Sequence, residues 1–282
     1  MSASPNLNPS HEFFHSGELR VEYAQWGKGT EALITLHGFG RNLNDFRAFT
    51  ALFENKYAVY SVNIFFHGES GIGSRKSDTA PLHPDEFKQF FSAFLDHIGA
   101  KKAHIMGYSL GGRLAMKFVE CAPERIKSLI LLAPDGLVLS RWYALLSHSV
   151  PGRAVFRFFM QNNPAFFGLL ATLNKIGFIS NRLRDFIHSQ TGSPELQQKV
   201  YDVWCFLRKI EPNFGELAKA LEREKIPVRI FIGAFDRIIP VKNARKFKRI
   251  YPEVKITLLH SGHAMLTRKN AAYILENKLL DE

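Results

Sequence analysis

The apolar residues of this chain fall into short, almost unbroken runs with helical spacings between them. Residues 32–36, 57–62, 102–106, 126–133, 228–233 and 255–259 read as strands. A continuous apolar run suits a parallel strand, which is covered on both faces. Residues 18–25 alternate apolar and polar side chains instead, the pattern of an edge strand with one wet face. Helical patterns lie at 43–53, 84–98 and 110–120; in the second, Phe87, Phe90, Phe91, Phe94 and Leu95 share one face. Strand, loop and helix in alternation predict βα units wound into a largely parallel sheet. Such sheets bind ligands beyond the carboxyl ends of their strands, where His37, Ser109 and Asp135 fall.

The rhythm stops after the strand at 126–133, the sixth main strand. From about residue 136 to 224 the pattern is helical and carries many aromatics, among them Trp142, Tyr143, Phe156, Phe166, Phe167 and Trp204. Pro151, Pro164, Pro194 and Pro212 punctuate it. A helical insertion is the expected result. Most of its aromatic residues are expected to pack helices onto the sheet. An insertion lying over the strand ends would also line a pocket with some of them, and Trp142 is the candidate. The strand rhythm then returns, with Asp236 and His263 on the loops that follow the last two runs. The expected organisation is a flexible tail over 1–16, a core over 17–136 and 225–282, and a helical cap over 137–224.

Composition narrows the class. The chain has 282 residues, 46% hydrophobic and 22% charged, which suits a soluble globular protein with a sizeable core. Cys121 and Cys205 lie far apart and join no metal-like cluster, so a disulfide framework is not expected and a cytoplasmic location is. The polar N-terminus, with Pro5 and Pro9, lacks the basic and apolar regions of a signal peptide. Apolar stretches are broken by Gly, Pro, Arg or Asp before bilayer length, so stable membrane insertion is not expected. The formal charge is +11, with a dense run at Lys242-Asn243-Ala244-Arg245-Lys246-Phe247-Lys248-Arg249. This run reads as the solvated face of an amphipathic helix whose Ala244, Phe247 and Ile250 point inward. No recognition module accompanies it, so no nucleic-acid partner is expected, while attraction to an anionic substrate or membrane surface stays open. The pattern leaves the oligomeric state open.

Candidate chemistry enters at Gly107-Tyr108-Ser109-Leu110-Gly111, between a strand and a helix. A serine on so sharp a turn projects its hydroxyl beside the free N–H groups of a helix N-terminus. Serine is a poor nucleophile until a base takes its proton; an imidazole does so, oriented by a carboxylate on its other nitrogen. The chain supplies Ser109, Asp236 and His263 in that order, each on a loop after a strand. Asp135, in Ala133-Pro134-Asp135-Gly136, is the rival acid. There is no H-E-x-x-H, C-x-x-C or P-loop lysine motif, so neither a metal nor a cofactor is expected.

Together with His37-Gly38-Phe39-Gly40, Gly233-Ala234-Phe235-Asp236-Arg237-Ile238-Ile239-Pro240 and Ser261-Gly262-His263-Ala264, the serine motif resembles the α/β-hydrolase superfamily over residues 18–280. The resemblance implies an α/β-hydrolase fold: a mostly parallel eight-stranded sheet, helices on both faces and a helical cap after strand 6. It implies Ser109 as nucleophile, His263 as base, Asp236 as orienting acid, and the backbone N–H groups of Phe39 and Leu110 as oxyanion donors. Tyr108, Arg113 and Trp142 are candidate substrate-binding residues, and His37 and His67 are expected to anchor their loops. A serine nucleophile argues against the dehalogenase and epoxide-hydrolase branches. The expected activity is cleavage of a carboxylic ester of a partly apolar small molecule through an acyl-enzyme. Two other chemistries use the same triad. The segment from Gly107 to Arg113 is similar to that of the menaquinone-pathway synthase that eliminates pyruvate, where arginines hold substrate carboxylates; carbon–carbon bond hydrolysis is the other. A non-catalytic ligand-binding protein on this fold is the alternative of another class, and an intact triad argues against it.

Overall fold

A computed structural model describes residues 11–53, 56–138 and 141–276, without the side chains of residues 50, 51, 141, 142, 182, 275 and 276. The strands are β1 (His11–Ser16), β2 (Leu19–Trp26), β3 (Glu31–Leu36), β4 (Tyr57–Val62), β5 (Ala103–Tyr108), β6 (Ile126–Leu132), β7 (Val228–Gly233) and β8 (Lys255–Leu259). They form one sheet in the order β1-β2-β4-β3-β5-β6-β7-β8. β1 and β2 pair antiparallel, as do β2 and β4; every other pair is parallel. All six residues of β5 are buried, as an inner parallel strand requires.

The helices are α1 (Arg47–Phe53), α2 (Pro84–His97), α3 (Leu110–Cys121), α4 (Arg141–His148), α5 (Val150–Gln161), α6 (Asn163–Lys175), α7 (Asn181–Thr191), α8 (Pro194–Phe206), α9 (Phe214–Glu224), α10 (Val241–Ile250) and α11 (Arg268–Glu276). On α2 the stripe Phe87, Phe90, Phe91, Phe94 and Leu95 is buried, and Phe87 and Phe91 reach Phe118 of α3. No helix among the described residues is long and apolar enough to cross a membrane.

The chain divides into two compact units. The first takes residues 1–73, 84–138 and 210–282 and holds the whole sheet; the second takes 74–83 and 139–209. This differs from the expected boundaries in three places. Residues 11–16, expected within a flexible tail, form β1, because Phe14 packs edge-on against Phe90 and Phe94 of α2; residues 1–10 lie outside the described ones. Helix α9, expected in the cap, belongs to the first unit: it buries Leu217, Ala218, Ala220 and Leu221, and the Asn213 amide before it donates to Glu120 of α3. Residues 74–83 join the helical unit because Ser77 donates to Asp202, Arg208 donates to the carbonyls of Ser77 and Asp78, and the Leu82 amide donates to the Phe206 carbonyl. A further difference lies on α10. Ala244 and Phe247 face inward as expected, but Ile250 is 46% exposed; the chain leaves the helix there and Tyr251 fills the inward position.

Candidate active site

Strand β5 ends in Tyr108 and helix α3 begins at Leu110, leaving Ser109 to make the turn at φ 50° and ψ −117°. A side-chain-bearing residue is rare there, and neighbours hold it in place: the Ser109 amide donates to the Leu132 carbonyl, and its own carbonyl accepts from Gly112 and Asp135. The turn also needs its glycines. A Cβ on Gly107 would lie 2.5 Å from the Gly111 carbonyl oxygen, and one on Gly111 would lie 2.0 Å from that of Leu36.

The Ser109 hydroxyl lies 3.2 Å from His263 Nε2, and His263 Nδ1 lies 2.8 Å from Asp236 Oδ2. A carboxylate can only accept here, so the Nδ1 proton points at Asp236, which leaves Nε2 free to accept from Ser109. The Asp236 side chain is fully buried, and its second oxygen accepts from the amides of Ile238 and Ile239 at 2.8 and 2.9 Å. Those bonds fix the carboxylate against its loop and aim Oδ2 at the imidazole. The rival acid is engaged elsewhere. Asp135 lies 3.5 Å from Arg113 Nε, and Arg113 is itself buried beneath the turn at Gly136.

Tyr108 is also buried. Its hydroxyl donates to the His263 main-chain carbonyl at 3.0 Å, and burial pushes that hydroxyl up to about 12. The side chain of Trp142, the third substrate-binding candidate, lies outside the described ones. No group of three or more His, Cys, Asp or Glu side chains suited to a metal occurs among the described residues.

The loop after β3 packs directly on the nucleophile: a Cβ on Gly38 would lie 3.1 Å from that of Ser109. Two histidines hold this loop. His37 Nδ1 donates to the Gly38 carbonyl and Nε2 accepts from the Ile64 amide; His67 Nε2 accepts from the Gly40 amide, and its ring stands edge-on to Phe39. Behind them is a polar network that sequence reasoning missed. Buried Glu22, on β2, accepts from Asn63 Nδ2 and from the Glu69 amide, while Asn63 Oδ1 accepts from the Leu43 amide. Burial alone would raise the Glu22 carboxyl; the bonds from Glu69, Asn63 and His11 outweigh it and hold the group below its ordinary value. No local signal in the sequence pointed to it, because Glu22 falls at a polar position of an alternating strand.

The chain matches the model of the alpha/beta hydrolase fold family over residues 31–267, and it belongs to that family. It is 26% identical over 279 residues to the dihydrolipoyllysine-residue acetyltransferase component of the acetoin cleaving system of Pseudomonas putida, covering 93% of this chain and 66% of that protein. The chain thus spans just under two thirds of that relative's length. To Lipase 1 of Psychrobacter immobilis it is 25% identical over 255 residues, 88% of this chain and 76% of the lipase. To the 2-hydroxy-6-oxononadienedioate/2-hydroxy-6-oxononatrienedioate hydrolase of Burkholderia vietnamiensis it is 26% identical over 236 residues, 79% and 77% of the two chains.

Proposed function

We propose that the chain is a serine hydrolase that cleaves a carboxylic ester with an apolar portion through an acyl-enzyme on Ser109. The observation that carries this reading is the unbroken hydrogen-bond chain from Ser109 through His263 to the buried Asp236. In the proposed reaction, His263 Nε2 takes the Ser109 proton as Oγ attacks the ester carbonyl. The oxyanion that forms is held by the amides of Phe39 and Leu110. Leu110 is the first residue of α3, where helix geometry leaves the N–H without an intrahelical acceptor. The tetrahedral intermediate collapses, and the alkoxide leaves with the proton from His263. Water then attacks the acyl-enzyme by the same route, releasing acid and restoring Ser109. Asp236 stays ionised and stabilises the imidazolium at each stage.

Two relatives support acyl chemistry by name, one a lipase and one an acetyltransferase component. The pyruvate-eliminating alternative asks for an arginine presented to a substrate carboxylate, and Arg113 is buried against Asp135. Carbon–carbon hydrolysis is the second reading, because the hydrolase relative acts on 2-hydroxy-6-oxo dienedioates, which contain no ester bond. The free cysteines Cys121 and Cys205 suit the cytoplasmic location we infer.

A fluorophosphonate probe is expected to label Ser109, and Ser109→Ala is expected to lower kcat for short p-nitrophenyl esters by roughly 10⁵-fold or more. Full turnover by the variant would end the assignment. Turnover of a 2-hydroxy-6-oxo dienoate far above that of any ester would select the second reading.

A further inference from the structure

Helix α5 is apolar on two faces. Gly152, Phe156 and Met160 face inward. Val150, Pro151, Ala154, Val155 and Phe158, at spacings of one, three or four residues, share the opposite side, and every one of them is exposed. Val150 is 72% exposed, Val155 49% and Phe158 55%. A helix of a soluble protein normally turns polar residues outward, so a second apolar face asks for something to cover it. The same character continues along the chain: no residue between Arg157 and Lys175 is charged, and α6 buries only Leu170.

The unit that carries this face is strongly basic. Residues 74–83 and 139–209 together carry eleven Lys and Arg against four Asp and Glu, most of the chain's excess positive charge. From Arg141 to Ser193 the only acid is Asp185. This charge decides the occupant. A second copy of the same unit would bring two basic bodies together, and nucleic acid would gain little from an apolar face. An anionic lipid surface satisfies both features: apolar side chains enter the boundary between headgroups and acyl chains, while Lys and Arg meet the phosphates.

We propose that the outward face of α5 docks the protein peripherally on anionic phospholipid membranes. Val155 and Phe158 enter the interface, and the cations of the helical unit set the preference for negative lipid. The proposal draws on none of the Ser109 chemistry, so docking stands or falls independently of the hydrolase reading.

The test is co-sedimentation of the full chain with vesicles of phosphatidylcholine alone or of equimolar phosphatidylcholine and phosphatidylglycerol. Binding to the mixed vesicles is expected to exceed binding to neutral ones by at least about tenfold and to weaken in high salt. Val155→Gln/Phe158→Gln is expected to lose about tenfold or more of that binding, with circular dichroism and Tm unchanged. Val150→Asn serves as the second variant if the first melts early. Lys246→Glu/Arg249→Glu, on exposed α10, and Ser109→Ala are both expected to bind like the parent. Absence of binding to either vesicle overturns the proposal, as does equal binding by the α5 variants or a loss confined to the α10 variant. A concentration-dependent dimer abolished by Val155→Gln/Phe158→Gln would show the face pairing with itself and also overturns it.

Discussion

Ser109 pays for its position in backbone strain, at roughly 1–3 kcal/mol for a side-chain-bearing residue in so sparsely populated a conformation. The return is a hydroxyl held within reach of His263. Its neighbour Tyr108 works on the other partner, because its hydroxyl donates to the main-chain carbonyl of the residue whose imidazole faces Ser109. Tyr108 is thus a positioning residue in this arrangement, acting through the backbone of His263. Tyr108→Phe removes the donor and with it one hydrogen bond to that carbonyl, at about 1 kcal/mol. If that loss appears in the barrier, kcat falls about fivefold while KM holds. Steady-state kinetics on a p-nitrophenyl ester with a parallel melt tests this; an unchanged kcat with a lowered Tm would make the bond purely structural. Ser109, Asp236 and His263 were legible in the sequence because each follows an apolar run and sits in a compact motif. Glu22 and Asn63 were not. Their bond joins residues 41 apart, and nothing local distinguishes a buried network carboxylate from one on a wet strand face.

Strand β5 separates two kinds of buried polar chemistry. Its carboxyl end leads into Ser109, while near its other end His104 is buried beside Ser128 and stands edge-on to Tyr57. Burial disfavours the charged imidazole and, with nearby Lys127 and Lys56, brings His104 down to about 4 despite the opposing pull of Glu31. In the unfolded chain this group takes a proton near 6.5, so between 6.5 and 4 the unfolded state binds more protons, and stability is lost as the pH is lowered through that window. From pH 7 to 5 the loss from this residue is roughly 2 kcal/mol. Urea unfolding at the two pH values is expected to show it, and His104→Leu to flatten it; an equal slope in both proteins would assign the acid sensitivity elsewhere. The inner strands were legible because continuous apolar runs announce them. β1 was not, since Phe14 is its only buried residue and the rest reads as tail.

Across the whole molecule, burial is unevenly shared. In the sheet unit β5 and β6 are almost wholly buried, and Phe46, Phe49, Phe53, Met106, Ile130 and Phe231 belong to one continuous core. The helical unit has a core of its own, with Tyr143, Phe156, Tyr201 and Trp204 in ring contact, but it thins out toward α6 and α7. Among the described side chains of those two helices only Leu170 and Thr191 are buried. The sequence could not announce this, because a run of Phe and Leu reads as core whether or not anything covers it. Segments with few buried apolar contacts open at low free energy, while core strands exchange only on global unfolding. Amide hydrogen exchange under native conditions is therefore expected to protect 103–108 and 126–132 most strongly. Residues 163–191 should exchange at least about a hundredfold faster, a difference of roughly 3 kcal/mol in opening free energy. Anionic vesicles should slow exchange across α5 and leave β5 unchanged if the lipid surface is what α5 meets. Equal protection of 163–191 and β5 in free protein would mean that the helical unit opens only with the sheet.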